Sequence, residues 1–104
     1  MERHKFPIRV LPTYEADLEA AACYIRDVLN NQTAAEELVR EVERAIHKRA
    51  EHPFLVKPYL TRKKRENTYY SIYVGNYIVF YVIIDNVMEV RRLIYSKRDI
   101  ERIL

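Results

Sequence analysis

Tyr95 stands three residues after Arg92 and two before Lys97, with Arg91 and Arg98 close on either side. A phenol among cations gives up its proton more readily than its ordinary pKa of about 10 implies, and its ring can stack on a nucleic-acid base. Guanidinium groups beside it would grip phosphate oxygens. The plainer reading of Tyr95 is a strand-end aromatic packed on the C-terminal helix. A second cationic group, Lys57, Arg62, Lys63, Lys64 and Arg65, contains no acid, and Tyr59, Tyr69, Tyr70 and Tyr73 lie within or just after it. Rings interleaved with cations suit single-stranded nucleic acid. Tyrosines also suit a half-buried strand, and runs of Lys and Arg between elements are commonly just solvated.

Other chemistries find little support. The chain carries 18 Lys and Arg against 15 Asp and Glu, a net charge of +3 that favours polyanionic partners. Cys23 is the single cysteine, so no internal disulfide is expected, and its place at a helical position reads as packing. His4 and His47 have no partners at ligand spacing, which argues against a metal site, and no cofactor is expected. With no leader-like start and no apolar run long enough to cross a bilayer, the expected location is the cytoplasm, away from membranes.

These groups need a scaffold, and the 104 residues suffice for one domain, 1–104. Residues 6–11 alternate weakly and read as a strand that Pro12 ends. From Thr13, the residues Tyr14, Leu18, Ala21, Ala22, Ile25, Val28 and Leu29 recur at helical spacing, and Asn30-Asn31 closes that helix. Thr33 to Glu36 fits a capping box opening a second helix, which His52-Pro53 stops. A link this short predicts an antiparallel helix hairpin. Residues 69–74, 77–84 and 87–95 then read as three strands joined at Gly75-Asn76 and Asp85-Asn86, and the middle one, apolar on both faces, must be central. A short C-terminal helix is expected to start with Ser96 as cap and Asp99 as its reciprocal partner, leaving Ile100, Ile103 and Leu104 as an uncovered apolar edge. The expected class is α+β.

Strict alternation along the last strand places Glu89, Arg91, Leu93 and Tyr95 on one face. Met88, Val90, Arg92 and Ile94 fall on the other, which looks like the helix-covered one. Arg92 thus shares a face with apolar residues, and anchoring and phosphate contact are equally plausible roles for it.

Gly75-Asn76-Tyr77-Ile78-Val79-Phe80-Tyr81 resembles the hairpin pattern G-x-Y-x-V-x-Y of the RelE/ParE superfamily of type II toxin-antitoxin toxins. Arg92 to Asp99 is similar to that family's closing R-x-x-[HY]-x-x-R-D, and Thr13 to Leu18 with Ala20 to Ile25 is similar to its first helix, an A-x-x-D-L type stretch ending in Y-I. The resemblance implies the RelE/ParE-like fold: N-terminal strand, antiparallel helix hairpin, three-stranded antiparallel meander and short C-terminal helix. It also implies a cognate antitoxin as partner.

For activity, the resemblance implies two alternatives. RelE-like members are endoribonucleases that cut translated mRNA on the ribosome by 2′-hydroxyl attack without a metal, using Lys, Arg and Tyr side chains and sometimes Glu or His. The matching residues here are Tyr95, Arg92 and Arg91 as the catalytic set, with Lys63, Lys64, Arg65 and Arg98 on RNA, and Glu66 or His52 in reserve. That reading is the first expectation, although Ile78 stands where such nucleases carry an arginine. ParE-like members instead poison DNA gyrase without catalysis, and a weakened or orphan RNA- or protein-binding member is a third reading.

Overall fold

The computed structural model describes residues 5–104, so His4 lies outside the described residues. Strand β1 (Ile8–Val10) leads directly into helix α1 (Pro12–Cys23). Pro12 occupies the first helical position, where a missing N–H breaks no bond, so it opens the helix as well as ending the strand. The helix runs on into a π-helical turn, Tyr24–Val28, in which the Leu29 N–H donates to the Tyr24 carbonyl at 3.1 Å. One extra residue per turn rotates the rest of the segment out of phase. Val28 and Leu29, expected in the apolar stripe, are therefore 65% and 56% exposed. Asn30, at φ 54°, ends the segment.

Helix α2 (Gln32–Arg49) starts one residue before the expected capping box: the Asn31 side chain, not Thr33, accepts from the Ala34 N–H at 3.0 Å. Its buried stripe is Ala35, Leu38, Val42 and Ile46. After an irregular stretch come β2 (Tyr70–Val74), β3 (Tyr77–Ile84) and β4 (Val87–Tyr95). Both links have the backbone that tight hairpins require, with φ 57° at Gly75, 51° at Asp85 and 63° at Asn86. The sheet order is β1-β4-β3-β2, antiparallel throughout the meander, with β1 added parallel to β4. An α+β sheet of this kind is what the sequence implied.

The sheet has two cores. On one face, Tyr14, Leu38, Val42 and Ile46 of the helices pack against Ile72, Val79, Tyr81, Met88, Val90 and Leu93. The Tyr81 hydroxyl is inside this layer, donating to the Pro53 carbonyl at 2.7 Å and accepting from Arg49 at 3.1 Å. On the other face, Tyr69, Ile78, Phe80, Val82 and Ile94 are covered by Tyr59 and by Ile100, Ile103 and Leu104. The C-terminal apolar residues are thus docked on the sheet, contrary to the uncovered edge expected. Helix α3 is the single turn Ile100–Ile103; Ser96 does not cap it, and Asp99 holds the cap position without a side-chain cap bond.

Strand β4 breaks the alternation assumed for it. Phe80 pairs with Arg92 and Tyr81 with Val90, so Arg91 is an extra residue, a β-bulge. Beyond it the parity inverts. Arg92 and Ile94 share the second face with Phe80 and Ile78, whereas Leu93 and Tyr95 turn to the helix side with Val79 and Tyr77. The apolar neighbours that made Arg92 puzzling belong to opposite sides of the sheet.

Candidate functional site

Where α1 ends in its π-turn, the helix hairpin lifts from the sheet and leaves a groove of about 740 Å³. Tyr24, Ile25 and Leu29 wall it from the helical side, and Tyr77, Tyr95 and Asn76 from the end of the β3–β4 hairpin. Tyr77 and Tyr95 meet edge to face with ring centroids 5.6 Å apart. Burial pushes the Tyr77 hydroxyl above its ordinary pKa, and the nearby phenols of Tyr95 and Tyr24 add to the shift. The groove is an aromatic surface with one exposed cation, Arg98, at its margin.

Arg92 also reaches this groove, but its guanidinium is engaged. It grips Asp17 of α1 in a two-bond fork at 2.7 and 2.9 Å and donates a third bond to the Ile103 carbonyl at 3.2 Å. Asp17 in turn accepts from the Leu93 N–H at 3.0 Å. One ion pair therefore ties α1, β4 and α3 together. The hydrogen bond to Asp17 holds the guanidinium pKa above its usual value, despite the opposing effect of burial.

The other expected residues lie elsewhere. Arg91 is on the second face, bonded to Glu89 at 2.8 Å and to the Tyr69 hydroxyl at 3.2 Å. Glu89, 7% exposed, also accepts from Arg9 at 3.0 Å. Burial alone would raise its pKa, but the bonds from Arg91 and Arg9 hold it below the ordinary carboxylate range. Arg65 donates to the Glu101 carbonyl and carboxylate at 3.0 and 3.3 Å, and Glu101 also accepts from the Arg62 N–H at 2.7 Å. Lys63 and Lys64 are exposed on this fastened loop, as is Glu66, and His52 is exposed in the turn after α2; none of these four lines the groove.

Of the expected set, then, the groove collects Tyr95, Arg92 and Arg98, and excludes Arg91, Lys63, Lys64 and Arg65. Reading the sequence missed Asp17, Tyr24, Tyr77 and Glu101. Asp17 had a signal, since it is part of the family-like stretch in α1. Tyr24 belongs to the same family-like stretch, but nothing in the sequence marked its exposure, which comes with the π-turn. Among the described residues no group of His, Cys, Asp and Glu is arranged to hold a metal, and no helix is long and apolar enough to cross a membrane.

Among solved structures, the chain is similar to the chromosomal ParDE TA system from P. aeruginosa, with a TM-score of 0.73, 10% identity, and 90% of this chain and 99% of that one covered. It is also similar to the toxin-antitoxin complex RelBE2 from Mycobacterium tuberculosis, with a TM-score of 0.58, 22% identity, and 88% and 99% covered. At such identities the likeness is one of fold. No curated protein sequence matches. Residues 8–100 match the pattern of the ParE toxin of the type II toxin-antitoxin system, parDE. The chain is a member of the ParE toxin family.

Proposed function

We propose that this toxin acts by binding a protein target, DNA gyrase, without catalysis, and that it works in the cytoplasm until a cognate antitoxin neutralises it. One observation carries this reading: each of the arginines expected on phosphate within the sheet and its preceding loop is paired with a carboxylate of its own fold, Arg92 with Asp17, Arg91 with Glu89 and Arg65 with Glu101. Cleavage of RNA requires cations free to meet the charge that grows on the phosphorane. Guanidiniums held in this way are poorly placed to provide it. An aromatic groove with a single rim cation suits docking on a protein surface, where Tyr and Arg contribute most of the binding energy.

A second reading, the endoribonuclease acting on mRNA at the ribosome, rests on one observation of its own. Tyr95 and Arg98 line the same groove, so a base-stacking ring and a phosphate-binding cation are together.

Short induction from a tight promoter separates the two. On the gyrase reading, growth stops with a DNA-damage response and intact mRNA, purified toxin blocks supercoiling by gyrase, and Tyr95→Phe still arrests growth. New cuts in translated messages mapped by primer extension, with arrest abolished by Tyr95→Phe in a folded protein that still binds antitoxin, would transfer the assignment to the ribonuclease. Arg92→Gln and Asp17→Asn should each destabilise the fold by about 1–3 kcal/mol in chemical denaturation, and the double variant by less than the sum.

A further inference from the structure

The ion pairs of the sheet and its loop leave six exposed cations free: Arg62, Lys63 and Lys64 before β2, and Lys97, Arg98 and Arg102 around α3. None of these side chains is in an ion pair among the described residues. Glu101 brings the two groups together. Its carboxylate accepts from the Arg62 N–H at 2.7 Å and from Arg65 at 3.3 Å, which fastens the loop to α3 directly beside Arg102. Arg65 is turned inward, and its Nε is buried without a partner. The hydrogen bond from the Arg62 N–H, reinforced by Arg65 and the Lys63 N–H, holds the Glu101 carboxyl below its usual range, so the acid stays ionised and balances Arg65. The exposed acids of these two segments are Glu66 and Asp99, so the surface keeps a surplus of positive charge.

Four tyrosines accompany this loop, and the fold engages three of them in packing. Tyr59 and Tyr69 stand edge-on to Phe80 with centroids 4.9 and 6.5 Å away, and Tyr70 stacks on Tyr81 at 5.4 Å on the helix side. Of the four, Tyr73 alone is open, at 67% exposed. Single-stranded nucleic acid binds by stacking successive bases on exposed rings between the cations. A duplex keeps its bases stacked inside and offers its phosphates, which a cationic surface with few open rings can hold.

We propose that this surface, Arg62 to Lys64 with Lys97, Arg98 and Arg102, binds the phosphate backbone of duplex DNA without reading its sequence. Holding phosphates needs exposed charge along a surface, whereas cleaving a strand needs a cation fixed at the reacting phosphate, so free cations here are consistent with a toxin that does not cut. Arg98 belongs both to this surface and to the aromatic groove. A target protein seated in the groove while it holds DNA would meet both at once. The choice of DNA over duplex RNA rests on the gyrase reading; the cationic surface itself does not.

The test uses the purified full chain without gyrase, so its failure leaves the supercoiling assay to judge the gyrase reading separately. Fluorescence anisotropy of a labelled DNA duplex of about 20 base pairs should show saturable binding at about 50 mM salt, weakened about 10- to 40-fold at about 100 mM. Lys63→Gln combined with Lys64→Gln should weaken binding at least about fivefold and lower the slope of log affinity against log salt by about two. Arg44→Gln combined with Lys48→Gln removes the same charge from the exposed side of α2 and should leave affinity within about twofold. Thermal melts confirm that both double variants are folded. Single-stranded DNA of the same length should bind at least about threefold more weakly, and an RNA duplex no more tightly than the DNA duplex. The proposal is overturned by an absence of saturable binding, by a single strand that binds as tightly as the duplex, or by an RNA duplex that binds more tightly. Wild-type affinity in the loop variant, or an equal loss in the α2 variant, overturns it as well.

Discussion

The two faces of the sheet are held by different means. The helix side is closed by regular elements whose buried stripe, from Tyr14 to Ile46, interdigitates with the strand residues between Ile72 and Leu93, and the Arg49–Tyr81–Pro53 chain lies inside that layer. The second side is closed by an irregular loop and a one-turn helix, too short to be stable alone. What fastens that cover is charge: Glu101 holds Arg62 and Arg65, and Arg92 holds the Ile103 carbonyl. Where periodic packing is missing, guanidiniums do much of the joining, and Arg92 and Arg65, singled out in the sequence for their charge, also tie elements of the fold together.

The strongest challenge to this contrast is Phe80→Ala. Phe80 is fully buried on the loop-covered side, between Tyr59 and Tyr69. Its truncation should cost about 3–5 kcal/mol in denaturant unfolding. A loss well under about 1 kcal/mol would mean that the second face is not a true core.

Glu89→Gln probes the ionic part at a smaller scale. It leaves Arg9 and Arg91 without a charged partner and should cost about 1–3 kcal/mol at neutral pH. The folded-state pKa of Glu89 is depressed, so its contribution is present above the unfolded value of about 4.3 and is lost as pH falls through the lower folded value. The variant should therefore have a flatter acid limb in stability against pH; an unchanged limb contradicts the pairing.

The smallest and most local effect is expected from Glu101→Gln. Its hydrogen bonds pin the loop from the helix end, so trypsin should cut sooner at Lys63, Lys64 and Arg65 while the melting temperature barely moves. Equal cleavage rates would show that the loop is held by Tyr59 and its neighbours alone.

Much of the scaffold could be read directly. Glycine, asparagine and aspartate at positive φ mark both hairpin turns, and the doubly apolar run of β3 required a central place. The groove was readable only in pieces. Tyr95, Arg92 and Arg98 were found through the closing motif, but the face each occupies was not, because one bulged residue at Arg91 inverts every later position and no local signal announces it. The π-turn had the same effect on Val28 and Leu29. Asn31 took the cap from Thr33 because both types can cap and only the backbone path decides. Partners distant in sequence, such as Asp17 for Arg92 and Glu101 for Arg65, are set by tertiary placement that spacing does not encode.

The parallel pairing of β1 with β4 has a kinetic side. Arg9 meets Glu89 across 80 positions, so the first strand finds its hydrogen-bonding neighbour only when the last strand is present. Contacts of such range slow folding. During synthesis the helix hairpin emerges early with its apolar stripe unmatched, and the groove, which needs both α1 and the end of β4, cannot exist until residue 95 is free to fold. The order of the strands therefore makes the surface through which this toxin would act one of the last parts of the molecule to form.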